Sequence, residues 1–108
     1  MGDKLSLKIY ELAKKDLEQI FKYISIELCN NRAALLLINK FENALIKVCE
    51  FPNSCPIILN KNIKENNVRK LIVENYNVFY RVKNNEVQVI RVLHKKRNTK
   101  KIIEKVYS

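Results

Sequence analysis

The chain holds one histidine, His94, within Arg91-Val92-Leu93-His94-Lys95-Lys96-Arg97. An imidazole can take up or release a proton near neutral pH, which suits it to general acid–base work. Arg69, Arg81 and Arg91 fall on neighbouring predicted strands, and Lys95, Lys96 and Arg97 follow the histidine directly. Cationic groups beside a proton donor suit chemistry on a phosphodiester. The cations stabilise the extra negative charge of the transition state, and the imidazole protonates the leaving oxygen. Only if the chain is a nuclease would Arg69, Arg81, His94 and Lys95 be its candidate catalytic set, with Glu65 or Glu74 as a candidate base. A different use of the same region is docking. Arg91, Lys95, Lys96, Arg97, Lys100 and Lys101 make a cationic surface for a polyanion or an acidic protein. A structural reading stands beside both: each arginine pairs with a surface carboxylate or lays its stem along the sheet edge.

Other chemistries find no support. A chain whose only glycine is Gly2 can hardly build a glycine-rich phosphate loop. One histidine and three cysteines without Cys-x-x-Cys spacing offer no metal-ligand pattern, and no cofactor is expected. Cys29, Cys49 and Cys55 read as reduced thiols, the first two as packing residues near helix ends and Cys55 in an exposed loop. The aromatic residues Tyr10, Phe21, Tyr23, Phe41, Phe79 and Tyr80 sit mostly in periodic segments and read as core, not as a base-stacking platform.

The elements that must position these groups follow from periodicity. Leu5, Leu7 and Ile9 alternate with polar residues, a short first strand. Ala13, Leu17, Ile20, Phe21, Ile24 and Leu28 then form one helical stripe, with Lys14, Lys15, Glu18, Gln19 and Lys22 turned to water. Asn30-Asn31 breaks that helix, and Asn31 is a predicted N-cap for a second helix over 32–50. Ala34, Leu37, Ile38, Phe41, Ala44, Leu45 and Val48 form its buried face. Pro52 disfavours helix at Phe51, and so short a connection makes the two helices an antiparallel hairpin. Ile57-Ile58-Leu59 reads as a short strand and 60–67 as a loop. Strands are predicted over 68–73, 76–82 and 86–93, with turns at Glu74-Asn75 and Asn84-Asn85. Asparagine tolerates positive φ, so Asn84-Asn85 marks a tight hairpin. Thr99 can cap a short terminal helix carrying Ile102, Ile103 and Val106. The expected architecture is α+β, β-α-α-β-β-β(-α): a helical hairpin packed on one antiparallel sheet, forming a single domain over 1–108.

Composition bounds the function. With 47% hydrophobic and 30% charged residues, the chain is globular, not disordered. Its formal charge of +10 is uneven: net +1 over 1–50, +3 over 51–90 and +6 over 91–108. No apolar run approaches the roughly 18 residues of a membrane span. Met1-Gly2-Asp3-Lys4 leads straight into the first strand without a signal-like apolar segment, so a cytoplasmic location is expected.

Four segments resemble the RelE/ParE superfamily of type II toxin–antitoxin toxins. They are Ala13–Ile24 (AKKDLEQIFKYI), Phe51-Pro52, Arg69–Val82 (RKLIVENYNVFYRV) and Val89–Asn98 (VIRVLHKKRN), in the family's order along the chain. The resemblance implies a bacterial growth-inhibiting toxin with the fold inferred above. It also implies an antitoxin partner, and operator DNA bound only through the toxin–antitoxin complex. RelE-like members cut mRNA on the ribosome, and ParE-like members poison DNA gyrase. Arg69 is similar to the RelE-like pattern, where it would stabilise the scissile phosphate. The tyrosine that often follows the last strand in RelE-like chains does not appear here until Tyr107, and Arg91–Arg97 looks more ParE-like. Gyrase poisoning is the expectation. The alternatives are a ribosome-dependent endoribonuclease and a toxin-like fold that only binds its partner.

Overall fold

The computed structural model describes residues 4–58 and 67–97. Strand β1 (Ser6–Ile9) leads into helix α1 (Glu11–Lys22), which continues as a π-helical turn over Tyr23–Glu27. Helix α2 (Asn31–Glu50) follows, then strands β2 (Arg69–Val73), β3 (Tyr76–Lys83) and β4 (Glu86–His94). The strands form one sheet in the order β1-β4-β3-β2. The β2-β3-β4 meander is antiparallel, as expected. Strand β1 instead lies parallel to β4, with Ser6 opposite Glu86 and Ile9 opposite Val89, so the sheet is mixed where a purely antiparallel one was expected. Short turns dictate antiparallel pairing; no such turn links β1 to β4, so local sequence leaves their relative direction open.

The apolar faces of both helices pack on one side of the sheet. Ala13, Leu37, Phe41, Leu45 and Val48 meet Val73, Val78, Tyr80, Val87, Val89 and Val92 in the main core. The predicted stripe of α2 is thus the buried one, and Lys14, Lys15, Glu18, Gln19 and Lys22 are exposed as expected. On the opposite sheet face Val68, Phe79 and Leu93 form a smaller cluster with Ile58.

Three local departures have identifiable causes. The first helix does not stay α-helical to Leu28. Ser25 Oγ donates to the Phe21 carbonyl at 2.7 Å, and the Leu28 N–H reaches five residues back to Tyr23 at 3.0 Å. The wider turn takes Leu28 off the apolar stripe and leaves it 55% exposed. Cys29 then adopts φ 49°, a position where glycine is usual, and Asn30 N–H closes the helix end on the Ile24 carbonyl. The cap of α2 is Asn30, not Asn31: its side chain accepts the Ala33 N–H at 3.0 Å. The third departure lies at 57–59, where the expected strand reduces to a single bridge between Ile57 and Arg69. Leu59, most of the 60–67 loop and the proposed C-terminal helix with Thr99 lie outside the described residues. Asn84 and Asn85 both have positive φ, 56° and 59°, the conformation a two-residue hairpin of twisted strands requires.

Candidate functional site

Strand β4 ends at His94 against the end of β3, and the imidazole meets the Tyr76 ring edge-on with centroids 5.3 Å apart. Its Nδ1 accepts the Lys96 N–H at 3.1 Å, while the Arg97 N–H bonds the His94 carbonyl at 2.9 Å. With Nδ1 so engaged, the neutral ring carries its proton on Nε2. The turn is anchored from β3 as well, since Lys95 N–H donates to the Asn75 carbonyl at 2.8 Å. A cleft of about 230 Å³ opens here, lined by Asp16, Gln19, Tyr23, Tyr76, His94 and Arg97. Burial raises the pKa of the Tyr76 phenol, and the neighbouring Tyr23 phenol adds to the rise. Tyr76 is therefore a hydrogen-bond donor at neutral pH and not a base. A second cleft of about 370 Å³ shares Tyr23 and Tyr76 and reaches toward Leu28 and Leu36.

One wall of the His94 cleft is fixed by a buried ion pair. Asp16, on α1, accepts from Arg91 Nε at 2.8 Å and Arg91 Nη2 at 2.9 Å. Its Oδ2 also accepts the Val92 backbone N–H at 2.9 Å. The two side chains are only 16% and 11% exposed. A bulge interrupts β4 beside this pair: Phe79 pairs with Arg91 but Tyr80 pairs with Val89, which leaves Ile90 as an extra residue. Val92 then continues the helix-facing line of Val87 and Val89. Arg91, expected at the docking surface, is mostly buried, with its charge paired to Asp16.

The four candidate catalytic residues do not converge. His94 and Lys95 share the β4 end. Arg69 pairs with Tyr80, four residues along β3 from the Tyr76–His94 level. That is about 13 Å along the strands, and two strands across. Its guanidinium donates to the carbonyls of Cys55 and, at 3.4 Å, Asn53. Beside it, the buried Tyr80 hydroxyl donates to the Pro52 carbonyl at 3.0 Å. Arg69 and Tyr80 together hold the chain leaving α2, and Cys55 in that loop is half-buried, not exposed as expected. Burial pushes the Tyr80 pKa far up, with hydrogen bonding and proximity to Cys55 adding to the rise. Arg81 is about 17 Å from the Tyr76–His94 level, five residues along β3. It belongs to a polar network around β1: Nε donates to Gln88 Oε1 at 2.7 Å and Nη2 to the Tyr10 hydroxyl at 3.0 Å. The Tyr10 hydroxyl donates in turn to Gln88 Oε1 at 2.9 Å.

Sequence reasoning missed Asp16 and Tyr76 as site residues, and it placed Tyr10 and Tyr23 in the core. Tyr10 lies in the polar network, and Tyr23 is 53% exposed at the π-helical turn. A signal for Asp16 was present: it sits three residues after Ala13 and four before Ile20, an acid on the apolar stripe. Lys96 and Arg97 are exposed beside Lys95, as a docking surface requires. Lys100, Lys101 and Glu65 lie outside the described residues. Among the described residues no cluster of His, Cys, Asp and Glu could hold a metal ion, and no helix is long and apolar enough to cross a membrane.

Comparison with known proteins places this geometry. The model of a family described as the ParE toxin of the type II toxin–antitoxin system parDE matches residues 7–99. The chain belongs to the ParE toxin family. Among solved structures, this ParE-family toxin is similar to a chain of the chromosomal ParDE toxin–antitoxin system from P. aeruginosa. Identity is 22% and the TM-score 0.65, covering 84% of this chain and 96% of that one. It is also similar to a chain of the RelBE2 toxin–antitoxin complex from Mycobacterium tuberculosis. There identity is 15% and the TM-score 0.58, covering 85% and 99%. These likenesses carry the α+β fold. No curated protein matches the chain.

Proposed function

We propose that this ParE-family toxin arrests growth by poisoning DNA gyrase, docking through the basic surface that begins at Lys95, and that it does so without cleaving nucleic acid. The observation that carries the reading is the dispersal of the candidate catalytic residues. Arg69 is spent on the carbonyls after α2, and Arg81 is engaged with Tyr10 and Gln88. Neither stands within reach of a phosphate held at His94. With Arg91 paired to Asp16, residues 92–108 still carry six basic residues and one acidic residue, net +5. That density favours attraction to an acidic protein surface or to DNA held by the enzyme. An antitoxin neutralises the toxin through a segment that is disordered alone and folds on binding. Operator DNA is bound through the antitoxin in that complex, and the toxin acts in the cytoplasm.

The test is a gyrase supercoiling assay run beside a coupled translation reaction. Inhibition of supercoiling with intact mRNA supports the reading. Truncation after Leu93 abolishes inhibition, and His94→Ala leaves it within about twofold. A truncated chain that still poisons gyrase refutes the docking surface.

The cleft itself favours a second reading, ribosome-dependent mRNA cleavage, because His94, Tyr23, Tyr76 and Arg97 meet there. In that case His94→Gln removes a proton-transfer group and slows cleavage by about 10²–10⁴-fold. Arg97 and Lys95, not Arg69 and Arg81, then face the phosphate. If growth is unhindered without antitoxin, the chain is a toxin-like binding protein only.

A further inference from the structure

Helix α2 carries a second stripe at the helical period, on the side away from the core. Arg32, Leu35, Asn39, Asn43, Ile46 and Glu50 recur at i, i+3, i+7, i+11, i+14 and i+18, and all six are exposed. Leu36 borders the stripe. Leu35, Leu36 and Ile46 are 62%, 53% and 48% exposed, so three large apolar side chains gather on one solvent-facing side of a single helix. The order along the stripe is symmetric about its middle. A charge stands at each end, apolar residues come next inward, and two asparagines flank the centre. Arg32 and Glu50 stand equally far from Phe41, about 13 Å each way along the axis, and their charges are opposite. Among the described residues no carboxylate pairs with Arg32, and Glu50 pairs only with the exposed Lys4, at 3.3 Å.

We propose that this face pairs with the same face of a second copy of the chain, α2 against α2, antiparallel about a two-fold axis at the level of Phe41. In that register Arg32 meets the partner's Glu50, Leu36 meets the partner's Ile46, and Asn39 faces the partner's Asn43. The two-fold axis makes each of these contacts twice. The asparagine amides hydrogen-bond across the seam and fix its register, as a single polar residue does in a coiled coil. A parallel arrangement would set arginine against arginine and glutamate against glutamate, so charge selects the antiparallel one. Charge also selects the occupant. The face balances Arg32 and Lys47 against Glu42 and Glu50, whereas the whole chain carries +10 and residues 91–108 hold +6 of it. A polyanion or a strongly acidic protein gains nothing on a balanced face, while two like copies that meet there keep their basic ends out of the contact. None of the seam residues lines the His94 cleft. One helix seam falls short of the roughly 800 Å² per partner of a stable interface, so the dimer is weak, with Kd on the order of 10⁻⁵–10⁻⁴ M.

Sedimentation equilibrium of the full chain over about 1 µM to about 1 mM, at about 0.15 M salt to screen the distant charges, reads the association. The wild-type chain is monomeric at the low end and mostly dimeric at the high end. Ile46→Ser weakens the dimer by roughly tenfold, because its apolar contact is made twice. Arg32→Glu and Glu50→Arg each weaken it by roughly tenfold, since each sets like charges together at both ends of the seam. Arg32→Glu combined with Glu50→Arg restores opposite charges and returns association to within about threefold of wild type. All of these side chains are exposed, so the variants keep the circular dichroism spectrum and the Tm of the wild-type chain. A chain that stays monomeric throughout overturns the proposal and leaves the face to a different protein. A dimer that Ile46→Ser leaves intact pairs through another face and overturns it as well. A double variant no tighter than the single ones refutes the antiparallel register and, with it, the proposal.

Discussion

Replacing Asp16 with alanine is the most informative single perturbation of this fold. The carboxylate accepts three hydrogen bonds: two from Arg91 and one from the Val92 N–H beside the bulge. Removing it leaves a guanidinium that is 16% exposed without its counter-ion and orphans a backbone donor. Breaking a buried pair from one side costs about 3–5 kcal/mol, mostly because the remaining charge stays desolvated. Partial solvation of Arg91 places the expectation at the lower end, about 3 kcal/mol. For a domain near 100 residues, each kcal/mol lowers Tm by about 4–8 °C, so Asp16→Ala melts about 12–24 °C below wild type. Thermal and urea denaturation followed by circular dichroism measure this directly. The double variant Asp16→Ala with Arg91→Met removes the stranded charge as well, and it recovers at least half of the loss. A single variant that loses less than about 1 kcal/mol refutes the reasoning, since that is what an exposed ion pair is worth. So does a double variant no more stable than the single one.

Further outcomes follow from the same structure. Asn85 has φ 59°, so Asn85→Val destabilises the β3–β4 hairpin by about 1–2 kcal/mol while Asn85→Gly is neutral or stabilising, as equilibrium unfolding will show. Burial raises the pKa of both Tyr76 and Tyr80 above the ordinary value of 10, so the folded state holds these protons more tightly than the unfolded chain. Their contribution is complete below pH 10 and is lost as pH rises through the folded-state values. Unfolding midpoints therefore fall above pH 10, and less steeply in Tyr80→Phe. Arg69→Gln leaves the Cys55 carbonyl without its charged donor and lowers stability by about 1–3 kcal/mol. In the gyrase reading its inhibitory potency per folded molecule is unchanged; a potency loss without a stability loss places Arg69 at the target instead.

Much of the architecture is legible in the sequence. Period-two and period-3.6 patterns fall on the right residues because each element must bury one face, and that demand is local. The same holds for the Asn84-Asn85 turn, where two adjacent asparagines answer a backbone need for positive φ. The site was less legible. The basic run after β4 was visible as charge, and His94 as the only imidazole, but their partners were not. Asp16 and Arg91 are separated by 75 positions and meet only through packing of α1 on β4. Nothing local distinguishes Arg91 from Lys95, although one is a mostly buried counter-ion and the other an exposed cation.

By itself, then, the sequence determined the helical hairpin, the antiparallel meander and the concentration of positive charge at the carboxy-terminal end. Each follows from side-chain period, turn chemistry or composition within a short window. Tertiary structure alone decided that β1 runs parallel to β4 and leaves an open edge. It also decided that a bulge at Ile90 shifts the alternation of β4, and that Arg69 and Arg81 are held far from His94. These are choices of register and of partners distant in the chain. They are set by how the sheet and helices close on one another, and no local propensity encodes them.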